Sequence, residues 1–212
     1  MKILAVQSRM GIGDTVIFLP FIKALSKKFN SPISILVKEN SKANQYLHQT
    51  KYIDKILTLE RDNKTNNRHG GFFGIFKLAN DLKKYKFDKI FIFNSSLRFN
   101  LVAKISGIPQ IYQYPLFAKN KQHIIEAPKK FLKENLDLDI NEDPEVQIDN
   151  DSISKAAQKF QIDKNTTNIL LGIGGSGPTK RIPAKTFLSV IDKISNIKAV
   201  SYTHLTLPTS PK

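Results

Sequence analysis

An apolar strand that breaks into a glycine turn and re-emerges as an amphipathic helix occurs twice in this chain, and few folds accommodate such a pair. In the first copy Lys2–Gln7 is almost continuously apolar, as a strand covered on both faces would be. The turn is Arg9-Met-Gly-Ile-Gly-Asp14, and Phe18, Ile22, Leu25 and Phe29 then recur at helical spacing. Pro20 lies inside that pattern and predicts a kink or a late helix start. In the second copy Asn168–Ile173 is the strand, Gly174–Arg181 the turn and Ala184–Asn196 the helix.

Between the two copies the alternation continues. Strands are expected at Ile33–Val37, Ile53–Leu59, Lys89–Phe93 and Ile108–Tyr112. Helices are expected from Ser41 to Gln49, from Phe76 to Lys84 and from Ser95 to Ser106, with a polar loop over Glu60–Gly74. Such alternation marks an α/β protein with a parallel sheet wrapped by helices. The pattern weakens after Pro115: a helix is expected near Ala127–Asn135, an acidic stretch at Asp137–Asp143, and a capped helix from Asp149–Ser152 to Phe160. This reads as the approach to a domain junction. The expected organisation is a Rossmann-like domain over 1–150, then a linker helix and the opening of a second, truncated Rossmann-like domain over 151–199.

The segment Val200-Ser-Tyr-Thr-His-Leu-Thr-Leu-Pro-Thr209 departs from the Lys- and Asn-rich style before it and matches a reading frame of a transposon-type sequencing adapter. Residues 200–212 are therefore expected to be non-native, and the natural chain longer.

The chemistry gathers at the glycine turns. In open α/β sheets ligands bind at the carboxyl ends of the strands. The first turn places Gly11, Gly13 and Asp14 there, with Asp14 at or near a helix N-terminus, where it could equally act as a cap. The dinucleotide fingerprint fails, since Val16 stands where its third glycine belongs. The second turn holds Gly174, Gly175, Ser176 and Gly177 with Lys180 and Arg181, a set of exposed amides and cations suited to phosphate. Pro178 and Thr179 separate the last glycine from the lysine, so the P-loop pattern also fails.

Taken together, Lys2-Ile-Leu-Ala-Val6, Gly11-Ile-Gly13-Asp14, Leu19-Pro20, Ala24-Leu25 and Gly174 to Pro183 followed by Phe187 resemble the ordered motifs of family 9 glycosyltransferases, the heptosyltransferase family. Ile182 replaces the tryptophan usual in the second motif. The resemblance implies a GT-B fold, with an acceptor-binding N-terminal domain facing a donor-binding C-terminal one. It implies that Asp14 is the general base, and that Lys180, with Arg181 and the amides of Gly174, Gly175 and Ser176, holds the donor diphosphate. It implies transfer of a sugar, expected to be heptose, from ADP-heptose or a similar nucleotide-sugar to a lipopolysaccharide-type acceptor with inversion, without metal or cofactor. The acceptor side would include Gly11, Gly13 and Arg9, with Arg61, Lys64 and Arg68 of the loop after the third strand.

Other polar residues are read more plainly. His69 is taken as an exposed, inert side chain, and His48 and His123 lack metal-ligand spacing. Asn94-Ser95-Ser96 either lines a cleft or caps the next helix. Two alternatives stay open: an oxidoreductase-like domain, for which Glu39 is the only acidic candidate after strand two, and a non-catalytic nucleotide-binding module.

The chain carries 33 Lys and Arg against 18 Asp and Glu, a net charge of +15, without the basic-aromatic motifs of nucleic-acid binders. No apolar run is long enough to span a bilayer, and the first residues do not read as a signal peptide. A cytoplasmic protein is expected, with contact to an anionic membrane face.

Overall fold

The apolar segments become five parallel strands, β1 (Ile3–Val6), β2 (Ile33–Lys38), β3 (Ile53–Leu59), β4 (Lys89–Ile92) and β5 (Gln110–Gln113), in the order β3-β2-β1-β4-β5. They belong to a computed structural model that describes residues 1–8, 11–61, 67–116, 123–163, 165, 168–169 and 182–193. On central β1, Ile3 lies opposite Ile33 and Lys89, and Val6 opposite Leu36 and Ile92.

Successive side chains of a strand point to opposite faces. Ile3, Ala5, Ile35 and Phe91 enter one core, while Leu4, Val6, Leu36 and Ile92 enter the other. Both faces are covered, which is why β1 is apolar without alternating. Helices α2 (Leu19–Phe29) and α5 (Glu126–Leu136) close the first core; α3 (Phe73–Lys83) and α4 (Leu97–Ile105) close the second.

Pro20 acts as a late start. A short helix α1 (Ile12–Ile17) ends at Phe18, and α2 begins anew with Pro20 in its first turn, where the absent N–H has no bond to lose. Two expected elements change. No α-helix runs from Ser41 to Gln49: single 3-10 turns occupy Glu39–Ser41 and Ala43–Gln45, separated by Lys42 in the left-handed region at φ 50°. The fifth strand starts at Gln110 rather than Ile108, because Pro109 has no amide for the ladder; Gln110 N–H makes the first bond, to Asp88 O at 3.3 Å.

His69 is also not the exposed residue expected. Only 3% of it is accessible. Its Nδ1 accepts from Glu60 N–H at 3.1 Å, and its Nε2 lies 3.1 Å from Asp81 Oδ2 on α3. Arg68 Nη2 donates to the other carboxylate oxygen at 2.8 Å. The loop after β3 is thus latched to α3 through one carboxylate. Burial pushes the Asp81 carboxyl up, but the hydrogen bonds and charges of His69 and Arg68 outweigh it and hold it below the usual carboxylate value. A folded-state pKa below the unfolded one stabilises the fold above the unfolded value of about 4, and that contribution is lost as pH falls through the folded value. Asp81→Ala is expected to lower stability by on the order of 2 kcal/mol at pH 7. In urea titrations the gap from the parent protein should close at acid pH.

The chain divides into two units, Met1–Ile148 and Asp149–Lys212. The acidic stretch before the division lies on the first unit: Lys23 Nζ is 3.0 Å from Glu142, and Ile140 is buried. In the second unit, helix α6 (Asn150–Lys159) is capped by Asp149, whose carboxylate accepts from Ser152 N–H at 2.6 Å, and α7 spans Ala184–Lys193. Most of the second expected strand, its glycine turn and residues 200–212 lie outside the described residues.

Candidate active site

In the order β3-β2-β1-β4-β5 the direction in which strands are added reverses between β1 and β4, and the crevice at the carboxyl ends of such strands is where ligands of open α/β sheets bind. Three polar strand exits converge on this side of the sheet. Gln7 and Ser8 leave β1, Asn94 and Ser95 follow β4, and Gln113 ends β5.

Hydrogen bonds join the exits. Asn94 Nδ2 donates to Ser8 Oγ at 2.5 Å, and Asn94 Oδ1 accepts from Ser96 N–H at 2.6 Å. Gln113 Nε2 donates to the carbonyls of Asn94 and Ser96, both at 2.9 Å, and Gln113 Oε1 accepts from Asn100 at 2.9 Å. Ser96 caps α4, its Oγ accepting from Arg98 N–H at 3.3 Å. The two readings of Asn94–Ser96 are therefore both realised: Ser96 caps, and Asn94 and Ser95 line the cleft. That cleft has about 230 Å³ of room, with Ser8, Asn94, Ser95 and His123 on its polar wall and Phe18, Phe93 and Tyr114 on its aromatic wall.

Asp14 belongs to the same end of the sheet. Gly11 precedes α1 at φ 109° and ψ 158°, a conformation essentially restricted to glycine. The chain can therefore leave β1 and start a helix after very few residues. Asp14 is the third residue of that helix, within its first turn rather than at the cap. Its Oδ2 lies 3.5 Å from where a Cβ on Gly11 would stand, so the carboxylate folds back over the turn and is half-buried. Gln7 Nε2 donates to the Asp14 carbonyl at 3.2 Å and ties the helix to the end of β1. Gly13 is exposed, with open space where a side chain would be.

Gly11, Gly13 and Asp14 are thus brought together at the carboxyl end of β1. Arg61 and Arg68 sit after β3, two strand positions away, roughly 10 Å across the sheet. Arg68 is engaged with Asp81. Arg9, Lys64, Gly174, Gly175, Ser176, Lys180 and Arg181 lie outside the described residues. Ser8, Gln113 and Tyr114 were not singled out from sequence. Their one signal is position, as the first polar or aromatic residues after buried strands.

The sheet order and the site at its reversal define a Rossmann-like α/β unit of the kind found in GT-B proteins. Its solved likenesses include sugar-transfer proteins. A glycosyl transferase family 9 structure from Veillonella parvula superposes with a TM-score of 0.74 at 20% identity, covering 94% of this chain and 62% of that one. The Escherichia coli ADP-heptose lps heptosyltransferase II gives 0.66 at 17% identity, covering 95% of this chain and 64% of that one. The E. coli heptosyltransferase WaaC with ADP-2-deoxy-2-fluoro heptose gives 0.58 at 13% identity, covering 94% and 68%. This chain therefore spans about 62% of the length of the Veillonella structure. No family sequence model and no curated protein sequence matches the chain. Among the described residues, no helix is long and apolar enough to cross a membrane.

Proposed function

We propose that the chain is the acceptor-holding part of a family 9 glycosyltransferase that moves a sugar, in our reading heptose, from a nucleotide diphosphate to a lipopolysaccharide-type saccharide. The observation that carries this reading is Asp14, held over the Gly11 turn at the carboxyl end of β1, on the sheet edge that also carries a cleft lined by hydroxyl and amide side chains. A sugar acceptor offers hydroxyls, and such a wall offers them partners. Asp14 takes the proton of the attacking hydroxyl while its oxygen bonds to the anomeric carbon. The bond from that carbon to the nucleotide diphosphate breaks, and the configuration inverts. Lys180 and Arg181, with the amides of Gly174, Gly175 and Ser176, are assigned the charge on the leaving diphosphate. The reaction as proposed uses neither metal nor cofactor. Arg9, Arg61 and Lys64 are assigned to anionic groups of the acceptor, and Arg68 supports them from its pairing with Asp81. The proposed place of work is the cytoplasmic face of the inner membrane.

The test is transfer of labelled heptose from ADP-heptose to heptose-deficient lipopolysaccharide by the uninterrupted gene product. Labelled product is the expected result, and residues 1–212 alone should turn over little. Nucleotide-sugar binding without transfer from any of a panel of nucleotide-sugars would overturn the reading in favour of a binding module.

A further inference from the structure

The start of α3 exposes three phenylalanines. Phe72, Phe73 and Phe76 are 68%, 77% and 48% accessible. Their rings meet edge to face, with centroids 6.1 Å apart for Phe72–Phe73 and 5.6 Å for Phe72–Phe76. Solvated phenylalanines in one cluster are unusual on a monomer surface and mark a contact. The neighbouring α4, which packs against α3, adds Leu97, Leu101 and Ile105, spaced along one exposed helix face.

This cluster is held firmly. Arg98 of α4 donates to the carbonyl of Gly71 at 2.7 Å and also to that of His69. A Cβ at Gly74 would overlap the His69 backbone, so α3 begins as close to that loop as a chain can come. The His69–Asp81 bond fixes the loop from its other side. The aromatic residues are thus presented by a braced corner.

Charge selects the occupant. Asp81 is the only carboxylate in α3 and α4, and it faces His69 and Arg68. Lys77, Lys83 and Lys104 are exposed on the same two helices. The opposite helical layer differs: there Lys23 meets Glu142, Lys130 meets Glu134 and Lys133 meets Asp137. One side of the sheet is therefore charge-balanced, while the other combines apolar rings with cations. That combination suits an anionic lipid surface, with rings entering the acyl boundary and lysine ammoniums reaching back to headgroups.

Position agrees. The N-termini of α3 and α4 follow the carboxyl ends of β3 and β4, so the phenylalanines and Leu97 lie toward the edge of the sheet that carries Asp14.

We propose that the outer face of the α3–α4 layer is a docking surface for an anionic bilayer, with Phe72, Phe73 and Phe76 as its inserting wedge. Its purpose rests on the lipid-linked acceptor reading above; its binding does not.

The test is co-sedimentation of the 212-residue chain with vesicles of phosphatidylglycerol and phosphatidylethanolamine, and with phosphatidylcholine vesicles, in the absence of any nucleotide-sugar. The parent chain is expected to bind the anionic vesicles at least about tenfold more strongly than the neutral ones. Phe72→Ser/Phe73→Ser/Phe76→Ser should lower that binding at least about tenfold with an unchanged melting temperature, since the rings are solvent-exposed. Lys77→Glu/Lys104→Glu should weaken binding to the anionic vesicles alone. Equal partitioning of the phenylalanine variant, or equal binding to both lipids, would overturn the proposal. So would absence of vesicle binding together with a concentration-dependent dimer that the phenylalanine variant abolishes, which would assign the face to a second copy. Transfer to a soluble, delipidated acceptor measures the proposed activity separately, so failure of one reading is distinguishable from failure of the other.

Discussion

Asp14→Asn in the proposed transferase is expected to lower kcat by about 10²- to 10⁴-fold with little change in KM, the range a positioned general base contributes. Asparagine has nearly the same shape and accepts hydrogen bonds, but it cannot take a proton. The substitution therefore separates two roles that the geometry allows. A carboxylate in the first turn of α1 also faces the positive end of a helix. That interaction contributes about 0.3–1 kcal/mol to stability and nothing specific to the rate. If Asp14 only serves the helix, the variant will melt slightly earlier and turn over normally. If it serves the reaction, the melting curve will barely move and single-turnover transfer will collapse. The measurement is thus a paired one, kinetics and thermal unfolding on the same preparation. Near-parent kcat would remove Asp14 as the base, and with it the mechanism proposed here.

The sheet was readable from sequence because strands buried on both faces are apolar almost throughout: Ile3–Val6 is entirely so, and Ile33–Val37 is except for Ser34, whose hydroxyl donates to Asp54. The glycine turn was readable because so abrupt an exit from a strand needs a residue such as Gly11 at φ 109°. What escaped was pairing across distance. Ser8 and Asn94 are 86 positions apart and meet only because β4 lies beside β1. His69 looked like a loop histidine because its partners are a backbone amide nine positions earlier and a carboxylate twelve positions later. Neither separation has a local signature. Phe72 and Phe73 were read into a polar loop; their exposure follows from Arg98 and Gly74, which bring the start of α3 forward. At Ser41 the short helix was lost to a left-handed Lys42, a conformation lysine adopts at a cost that local propensity does not foresee.

The same comparison of local and distant contacts governs the largest stability effect. Phe91→Ala is expected to lower the unfolding free energy by about 3–5 kcal/mol, a large part of the roughly 5–15 kcal/mol that holds a domain together. Phe91 sits on β4 with no accessible surface. Its ring stacks on Tyr112 of β5 at 4.6 Å and 5°, and tilts against Phe29 of α2 at 5.9 Å. Removing it opens a cavity where β4, its neighbour β5 and the covering helix α2 meet. Phe93, two residues further along the chain and just past β4, shares the same face but belongs to the cleft, packing edge-on against Phe18 at 5.2 Å and Phe131 at 5.4 Å. The two positions should therefore separate fold from site. In urea titrations followed by far-UV circular dichroism both alanine variants should lose stability. At a temperature where both remain folded, Phe91→Ala in the proposed transferase should keep its KM for acceptor, whereas Phe93→Ala should raise it, because that ring forms a wall of the cleft proposed to take the acceptor. A loss below about 1 kcal/mol at Phe91 would mean that the core collapses around the gap far more readily than close packing of this kind allows.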